Sequence, residues 1–371
     1  MRIGVPTETK PHEYRVAITP AGVAELVRRG HQVLVESGAG LGSSITDDQF
    51  AAAGAQLSDD AETIWATADL ILKVKDPTEQ EQPLLRSGQV LFCYLHLAAS
   101  RQTTEALLAA GTTAIAYETV QTADGALPLL MPMSEVAGGL AVQTGAYHLM
   151  RGGGGRGVLL GGVPGVPPAD VVIIGAGTAG AHAARTAAGM GAAVTVFDID
   201  VARLRSLDVA LGGRVRTRFS TALDVDDAVR QADLVIGAVL VPGRRAPKLV
   251  SNSTVAGMRP GAVVVDVAID QGGCFEDSRP TTFDDPTYHV HDTVFCCIGN
   301  LPGAVPRTST FALVNATLPY VVRLADHGWR AACVADPALA RGLATHFGEL
   351  FSASVAGDLG LPYSDPATLL G

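Results

Sequence analysis

The sequence has little charge, few aromatic residues and no apolar run long enough to cross a membrane. Charged residues make up 17% of the 371 residues and aromatic residues 5%, whereas hydrophobic residues make up 47%. The apolar residues come in short runs broken by glycine, proline and charge, so no membrane span is predicted. The chain starts with the strand-like stretch MRIGVPTETK, which lacks the apolar core of a signal peptide. We therefore expect a cytoplasmic protein, long enough for two domains.

Positive charge is scarce as well. Lysine and arginine number 27 against 37 aspartate and glutamate residues, which gives a formal net charge of −10. Because no basic stripe offsets this balance, nucleic acid is excluded as the expected partner.

Cysteine is rare, and its spacing follows no metal-binding or redox motif. The five cysteines contain no C-x-x-C pair, and their number is odd. This pattern favours reduced thiols over a disulfide framework, and we assign no residue to a metal. Cys296 and Cys297 lie in the apolar run VFCCIG, which predicts buried strand residues rather than a redox pair.

Glycine, in contrast, is abundant, and three glycines organise residues 171–200. The apolar run VVII leads into Gly175, Gly177 and Gly180 in the spacing G-x-G-x-x-G. An alanine-rich segment of helical length follows, and then a second apolar run that stops at Asp198. The first glycine allows a sharp turn, the second lets backbone amides approach a pyrophosphate, and the third lets helix and strand pack closely. Strand, turn, helix and terminal acid together predict a dinucleotide site rather than a plain strand-turn-helix.

The acid at the end of the second strand predicts which dinucleotide binds. The carboxylate of Asp198 can accept hydrogen bonds from ribose hydroxyls and would repel a 2′-phosphate. Arg203 and Arg205 lie nearby, and their positive charges favour NADP instead. On balance the sequence predicts NAD.

The first third of the chain alternates strand-like and helix-like segments without a glycine fingerprint, which predicts an α/β domain with a parallel sheet. Residues 132–150 are predicted to form a long helix with Ser134 as its N-cap and with Gly138 and Gly139 weakening it. A glycine-rich linker leads from this helix into the dinucleotide-binding domain.

A late helix, from about residue 310 to 326, has no place in a complete dinucleotide-binding domain. We expect it to return to the first domain, followed by a helical tail. The predicted fold is α/β, with two Rossmann-like parallel-sheet domains that flank a cleft and are connected by long interdomain helices. The substrate (catalytic) domain would be discontinuous, with residues 1–130 and 307–371, and the NAD-binding domain would cover residues 131–306. The chemistry would take place in the cleft, at the carboxyl ends of the strands.

Three polar residues close successive strand-like runs of the first domain. They are Lys75, His96 and Glu118. The carboxyl ends of parallel strands share one edge of a sheet, so these side chains can converge; strand-end charge for solubility is the alternative. Lys73 is two residues before Lys75 and on the same face, and the pattern does not choose between the two lysines.

Further candidates lie in loops and at strand ends. Arg15 precedes the first helix, and its guanidinium could bind a carboxylate through two parallel hydrogen bonds or simply lie on the surface. Asp270 ends the run AVVVDVAI and could transfer protons or brace a loop, whereas Asp266 within that run is predicted to be buried. Asn300 ends the run VFCCIGN and could orient a nicotinamide or a substrate.

The motifs as a set resemble the L-alanine dehydrogenases over essentially the whole length. The stretches that carry this resemblance are RIGVPTETK, EYRVAITP, LILKVKDP, LHLAA, AYETVQ, PLLMPMSEVAG, GGVPGV, VVIIGAGTAG, VVVDVAIDQGG and VPRTSTFALVNATLPY. The resemblance implies two α/β domains, NAD as cofactor, a homohexamer, and the interconversion of L-alanine with pyruvate and ammonia.

The resemblance also implies roles for individual residues. Arg15 would hold the substrate carboxylate, Lys75 would contact the substrate oxygen, and His96 and Asp270 would transfer protons. The residues that match NAD contacts of the family, besides the three glycines, are Ser134, Thr178, Ala179, Asp198, Arg203, Ser220, Val239, Leu240, Val267, Ala268, Ile269, Asp270, Arg279, Ile298, Gly299, Asn300 and Leu301. Two positions depart from many relatives: Gly139 replaces a basic residue, and Arg203 replaces a lysine found in some.

Two other functions remain as alternatives. The chain also resembles the nucleotide-binding subunit of proton-translocating transhydrogenases, but those typically have other residues in place of Lys75 and Asp270. A non-catalytic NAD sensor or scaffold would not need Arg15, Lys75, His96 and Asp270 together.

Overall fold

The structure is a computed structural model that describes residues 1–239 and 246–371. No helix in these residues is long and apolar enough to cross a membrane. The strands, numbered in chain order, are β1 (Arg2–Val5), β2 (Gln32–Glu36), β3 (Gln56–Ser58), β4 (Leu70–Leu72), β5 (Val90–Cys93), β6 (Thr113–Ala116), β7 (Asp170–Ile174), β8 (Ala193–Asp198), β9 (Arg216–Phe219), β10 (Leu234–Gly237), β11 (Val263–Asp266), β12 (Thr287–Val290), β13 (Thr293–Cys296), β14 (Leu343–His346) and β15 (Glu349–Leu350).

The helices alternate with these strands through most of the chain. In chain order they are α1 (Pro20–Arg28), α2 (Asp47–Ala52), α3 (Ala61–Thr67), α4 (Arg101–Ala110), α5 (Met131–Leu149), α6 (Thr178–Gly189), α7 (Val201–Leu211), α8 (Ala222–Gln231), α9 (Asn252–Ala256), α10 (Pro306–His327), α11 (Trp329–Ala335), α12 (Pro337–Ala340), α13 (Ala353–Leu359) and α14 (Pro366–Leu370).

The chain divides into two compact units. The first consists of Met1–Met133 and Gly303–Gly371, and the second is Ser134–Pro302. One boundary falls inside α5, and the other falls in a short 3₁₀ turn, Leu301–Ala304, that precedes α10. Helix α10 therefore belongs wholly to the first unit.

The sheet of the first unit has eight strands in the order β15-β14-β6-β5-β4-β1-β2-β3. Strands β1 to β6 run parallel to their neighbours, whereas β14 pairs antiparallel with β6. The prediction of a helical tail was therefore only partly correct: α11 to α14 lie there, but residues 343–350 form two short strands. Leu343 aligns with Ile115, which lies more than two hundred residues earlier in the chain. A strand this short also has too few residues to show an alternation of apolar and polar residues in the local sequence.

The sheet of the second unit has seven strands in the order β12-β13-β11-β10-β7-β8-β9, of which only β12 runs antiparallel to its neighbour. Val171 and Ile173 pack into the apolar cluster on one face of the sheet, and Val172 and Ile174 pack into the cluster on the other. Because successive side chains of a strand point to opposite faces, the unbroken run VVII indicates a strand buried on both sides.

In each sheet the chain order reverses at a central strand. β1 lies between β2 and β4, and β7 lies between β8 and β10. Loops leave such a pair of strands in opposite directions, so a crevice opens at their carboxyl ends. The predicted α/β class with two Rossmann-like domains is confirmed, with mixed rather than purely parallel sheets.

Helix α5 matches the long helix that was predicted, but not its cap. It begins at Met131, so Ser134 is the fourth residue of the helix rather than its N-cap. Pro132, which lacks a backbone N–H, occupies the second position, where no intrahelical hydrogen bond is lost. A proline at the start of a helix was thus a better marker here than the serine after it.

Candidate active site

The glycine fingerprint of the second unit joins β7 to α6. Gly175 has a φ of 105°, a conformation that favours glycine, and a side chain there would lie 2.6 Å from the carbonyl oxygen of Ala238. A Cβ atom on Gly180 would lie only 1.8 Å from the carbonyl oxygen of Gly175, so helix and turn could not pack as they do. A Cβ atom on Gly177, in contrast, would meet nothing within 4 Å.

This geometry fits a dinucleotide. The open space beside Gly177 lies at the N-terminus of α6, which starts at Thr178 and includes Ala179. The first backbone N–H groups of a helix have no partner within the helix, and the helix dipole favours an anion at that end. The loop is therefore compatible with the pyrophosphate that the sequence predicts for it.

Asp198 ends β8 beside this loop, and the residue is 8% exposed. One oxygen accepts a hydrogen bond from the backbone N–H of Ala176 at 2.6 Å, and the other accepts one from that of Asp200 at 2.8 Å. The carboxylate therefore braces the glycine loop, a role that the spacing alone did not predict. Each oxygen keeps further acceptor capacity for a ribose hydroxyl.

The other predicted cofactor contacts mostly follow the carboxyl ends of parallel strands. Val239 follows β10, and Ser220 follows β9. The remaining strand-end residues are Val267, Ala268, Ile269 and Asp270, in the turn Val267–Gln271 after β11, and Ile298, Gly299, Asn300 and Leu301 after β13. Leu240 lies outside the described residues.

Three predicted cofactor contacts lie away from these strand ends. Ser134 is in α5, and Arg203 is in α7, where its guanidinium approaches Asp200 at 3.5 Å. Arg279 stacks its guanidinium over the ring of Tyr288, 3.9 Å from the centroid.

Two aspartates near the end of β11 have different surroundings. Asp266 is the last residue of the strand and is fully buried, with hydrogen bonds from Ser278 Oγ at 2.6 Å and Cys274 N at 2.9 Å. Burial raises its pKa above the usual value, and these hydrogen bonds oppose that rise. Asp270 is exposed, and it lies in the turn beyond the strand rather than at the strand end predicted for it. The structure therefore makes Asp266 a structural acid and leaves Asp270 accessible.

In the first unit the structure separates the roles of the two lysines. The Lys73 side chain is 1% exposed, and its Nζ lies 2.8 Å from a carboxylate oxygen of Glu81 and 3.2 Å from one of Glu8. Burial opposes its charge, but the two carboxylates prevail and raise the pKa of Lys73 above its usual value. Lys73 is thus a buried structural cation, and Lys75 is the candidate for chemistry.

Glu8 connects this ion pair to the segment that carries Lys75. It follows β1, and its carboxylate accepts the backbone N–H of Val74 at 2.5 Å and that of Lys75 at 3.4 Å. β1 and β4 are the strands between which the chain order reverses, so this contact lies at the crevice of the first sheet.

Arg15 lies buried in the loop before α1 and is paired with Glu13. Its Nε and Nη2 donate to the two carboxylate oxygens of Glu13 at 2.6 and 2.5 Å, and Nη1 lies 3.0 Å from the sulfur of Met133. Burial would raise the pKa of Glu13, but the hydrogen bonds and charge of Arg15 and the charge of Lys75 lower it below the usual value. The predicted carboxylate anchor therefore has an internal partner that holds its orientation.

His96 follows β5 and lies beside Glu118, which follows β6. The backbone N–H of His96 donates to Glu118 Oε1 at 2.6 Å, and its ring Nδ1 lies 4.0 Å from the same oxygen. The ring also stacks on Tyr94, with centroids 5.9 Å apart. The structure thus brings His96 and Glu118 together, as adjacent parallel strands require.

Sequence reasoning missed Glu8, Glu13 and Tyr94. Glu8 and Glu13 lie in the same loop as Arg15, after the first strand, and this position was the only available signal. The partners of Glu8 at residues 73–75 are distant in sequence, so that pairing was not detectable, whereas Glu13 pairs with Arg15 only two residues away. Tyr94, within an apolar run, appeared to be an ordinary core residue.

The arrangement of the first unit suits a small anionic substrate. A guanidinium and an ammonium can bind a carboxylate and a carbonyl oxygen, and an exposed imidazole can transfer a proton. Within the part of the chain that the structure describes, no cluster of three or more histidine, cysteine or acidic residues could hold a metal ion. The five cysteines are buried thiols, and burial raises the pKa of each.

Comparison with known proteins agrees with this arrangement. Residues 4–137 match the family model "Alanine dehydrogenase/PNT, N-terminal domain", and residues 141–353 match its C-terminal counterpart. An alanine dehydrogenase of Mycobacterium tuberculosis is 68% identical over 370 residues, covering 100% of both chains. A solved L-alanine dehydrogenase superposes with a TM-score of 0.94 at 50% identity, covering 97% of this chain and 99% of the other.

A more distant solved relative represents the alternative function. It is a transhydrogenase from Sinorhizobium meliloti, with a TM-score of 0.80 and 28% identity over 95% of this chain and 100% of the other. Both family models match, and together they cover most of the chain. The chain therefore belongs to the alanine dehydrogenase/PNT family.

Proposed function

We propose that this chain is an L-alanine dehydrogenase, which reversibly converts L-alanine, water and NAD⁺ to pyruvate, ammonia, NADH and a proton. The observation that carries this proposal is 68% identity to a curated alanine dehydrogenase over the full length of both chains. Both family models and the solved L-alanine dehydrogenase at 50% identity point to the same activity.

The second unit would hold the cofactor. Gly175, Gly177 and Gly180 with the N-terminus of α6 would bind the pyrophosphate, and Asp198 would accept the ribose hydroxyls. When bound, NAD supplies the acceptor for the hydride that leaves the substrate Cα. The other predicted contacts after β10, β11 and β13 would surround the nicotinamide half.

The first unit would hold the substrate. Arg15 would bind the carboxylate of alanine or pyruvate, and its fixed orientation against Glu13 supports this role. The ammonium of Lys75 would stabilise the substrate oxygen as negative charge develops on it.

Proton transfer is assigned to His96 and Asp270. After hydride loss the substrate is an iminium, and His96 or Asp270 would take a proton from the water that attacks it. The resulting carbinolamine gives pyruvate when its protonated nitrogen leaves as ammonia and its hydroxyl proton passes to His96 or Asp270. Both side chains are exposed, which supports access to substrate.

Two further assignments follow from the family resemblance. We propose a cytoplasmic homohexamer; the buried, unpaired state of the five cysteines supports a reducing compartment. Size-exclusion chromatography with light scattering tests the assembly.

The transhydrogenase-like function is less supported. The transhydrogenase relative is 28% identical, against 50% and 68% for the two alanine dehydrogenases. Lys75 and Asp270, which distinguish the two functions at the level of sequence, are both present.

The decisive experiment is NADH oxidation with pyruvate, with and without ammonium. We expect turnover that depends strictly on ammonium, because amination needs a nitrogen donor. Turnover without ammonium would indicate simple keto-acid reduction, and no turnover at all would favour the transhydrogenase-like or sensing functions.

A further inference from the structure

The segment between β5 and the 3₁₀ turn Leu97–Ala99 has an unusual backbone. His96 has φ 47° and ψ 40°, in the left-handed region that side chains other than glycine rarely adopt. Such a conformation persists only where the surrounding structure holds it. Something other than local preference must therefore keep His96 in place.

We infer that Glu118 is a positioning residue for His96, and that it acts by binding the backbone amides of Leu95 and His96 rather than the imidazole. Its two carboxylate oxygens each lie 3.2 Å from the nitrogen of Leu95, and one lies 2.6 Å from that of His96. The ring nitrogen Nδ1 lies 4.0 Å from the carboxylate, beyond hydrogen-bonding distance.

The sheet fixes this contact. β5 and β6 are parallel neighbours, with Cys93 aligned to Ala116. Glu118 is two residues beyond Ala116, just as Leu95 is two residues beyond Cys93, so the carboxylate and the amides leave the sheet side by side. The Glu118 side chain is 17% exposed, which strengthens hydrogen bonds between its charge and the amides.

Tyr94 supports the imidazole from a second side. The two rings are nearly parallel, at 11°, and the Tyr94 hydroxyl donates to the carbonyl oxygen of Leu129 at 2.5 Å. Tyr94 therefore fixes one face of the ring, while Glu118 fixes the backbone from which the ring extends.

This inference rests on the proposed function, since it assumes that His96 transfers protons. The test uses the full-length protein and the variants Glu118→Ala and Glu118→Gln. Glutamine keeps one carbonyl oxygen that can accept the His96 amide but cannot act as an acid or base. Asp336→Ala is the matched control: Asp336 is 18% exposed and accepts the amides of Ala338 and Leu339, far in the chain from any candidate catalytic residue.

We expect Glu118→Ala to lower kcat by at least about tenfold, with KM for pyruvate changed by less than about threefold, because a displaced proton-transfer group slows chemistry more than binding. Glu118→Gln should recover most of the lost kcat. Asp336→Ala should keep kcat while lowering Tm about as much as Glu118→Ala does.

Amide hydrogen exchange gives a measurement that does not depend on turnover. The amides of Leu95 and His96 should be protected in the wild type, less protected in Glu118→Gln and unprotected in Glu118→Ala. A kcat for Glu118→Ala equal to that of Asp336→Ala would overturn the inference. Glu118→Gln as inactive as Glu118→Ala with its amides still protected would also overturn it, since Glu118 would then transfer protons itself. If the wild type shows no ammonium-dependent turnover, the proposed function fails, and the exchange data alone test the contact.

Discussion

The two units place different chemical groups at the same position of their sheets, beside the strand at which the chain order reverses. In the second unit the crevice beside β7 is formed by glycines, backbone amides and one acid, Asp198. In the first unit the segments that follow β1 and β4 carry ionic side chains that are buried and paired with one another, among them Glu8, Glu13, Arg15 and Lys73. A long, multiply charged cofactor can be held by backbone and helix dipole, whereas a three-carbon acid offers few atoms and needs strong, directed charges.

The sharpest test of this comparison uses the two lysines that are two residues apart. We expect Lys75→Met to lower kcat/KM by about 100-fold or more with a smaller loss of stability than Lys73→Met, because it removes the cation proposed to stabilise the substrate oxygen. Lys73→Met should instead destabilise the protein by about 3–5 kcal/mol, because it leaves Glu8 and Glu81 buried without their partner. Steady-state kinetics and urea unfolding of both variants separate the two roles. A stable Lys73→Met variant with the larger kinetic loss would reverse the assignment.

The second test concerns the unit that depends on backbone. Gly180→Ala should weaken NADH binding by at least about tenfold, since its Cβ atom would force the helix away from the carbonyl of Gly175. Gly189→Ala, at the other end of α6 where a Cβ atom meets nothing within 4 Å, is the control. We expect it to bind NADH normally and to be slightly more stable, by up to about 1 kcal/mol. Fluorescence titration with NADH measures both, and equal Kd values would show that close packing at Gly180 does not form the site.

Asp198 allows a finer test, because it braces the glycine loop in the structure and is proposed to bind the ribose as well. If the Asp198 carboxylate interacts with the ribose, Asp198→Ala should weaken the binding of NADH by about tenfold. The binding of NADPH should weaken far less, since the repulsion of its 2′-phosphate is removed. If Asp198 only braces the loop through Ala176, the binding of both cofactors should weaken equally. The ratio of the two KM values decides, and Asp208→Ala, which changes an exposed acid later in α7, controls for surface charge.

The smallest expected effect is the pH dependence of the Arg15–Glu13 pair. The pKa of Glu13 is lowered in the folded protein, so this pair stabilises the fold above the usual carboxylate pKa of 4.5. That contribution is lost as the pH falls through the lower, folded value. Glu13→Gln should therefore be less stable than the wild type by about 1–3 kcal/mol at neutral pH, and this difference should shrink below about pH 4. Urea unfolding at several pH values measures it, and a difference independent of pH would mean that Glu13 is not ionised in the fold.

Much of the second unit could be predicted from sequence. The glycine fingerprint, its strand and its helix lie within thirty consecutive residues, so their geometry follows from local conformational limits on Gly175 and from the buried run that precedes it. The same holds for the buried cysteines and for the long helix α5. The prediction of Ser134 as the N-cap was wrong because proline and serine, which both indicate the start of a helix, lie within one turn of each other.

In the first unit the sequence indicated which residue types lie at the strand ends but not which of them carry out the chemistry. Lys73 and Lys75 both follow β4, and only the positions of Glu8 and Glu81 decide that Lys73 is buried and paired. The strands β14 and β15 were missed for the same reason, since their partner β6 lies far away in the chain. His96 was identified, but its left-handed backbone and its support by Glu118 depend on two adjacent strands that the sequence could not align.

The sequence by itself therefore determined the family, the α/β class and the dinucleotide loop, because each depends on residues close together in the chain or on motifs that recur whole. Only the tertiary structure decided which buried charges are structural and which side chains remain accessible. That division depends on desolvation and on hydrogen-bond partners brought in from distant strands, and neither is set until the sheet has assembled.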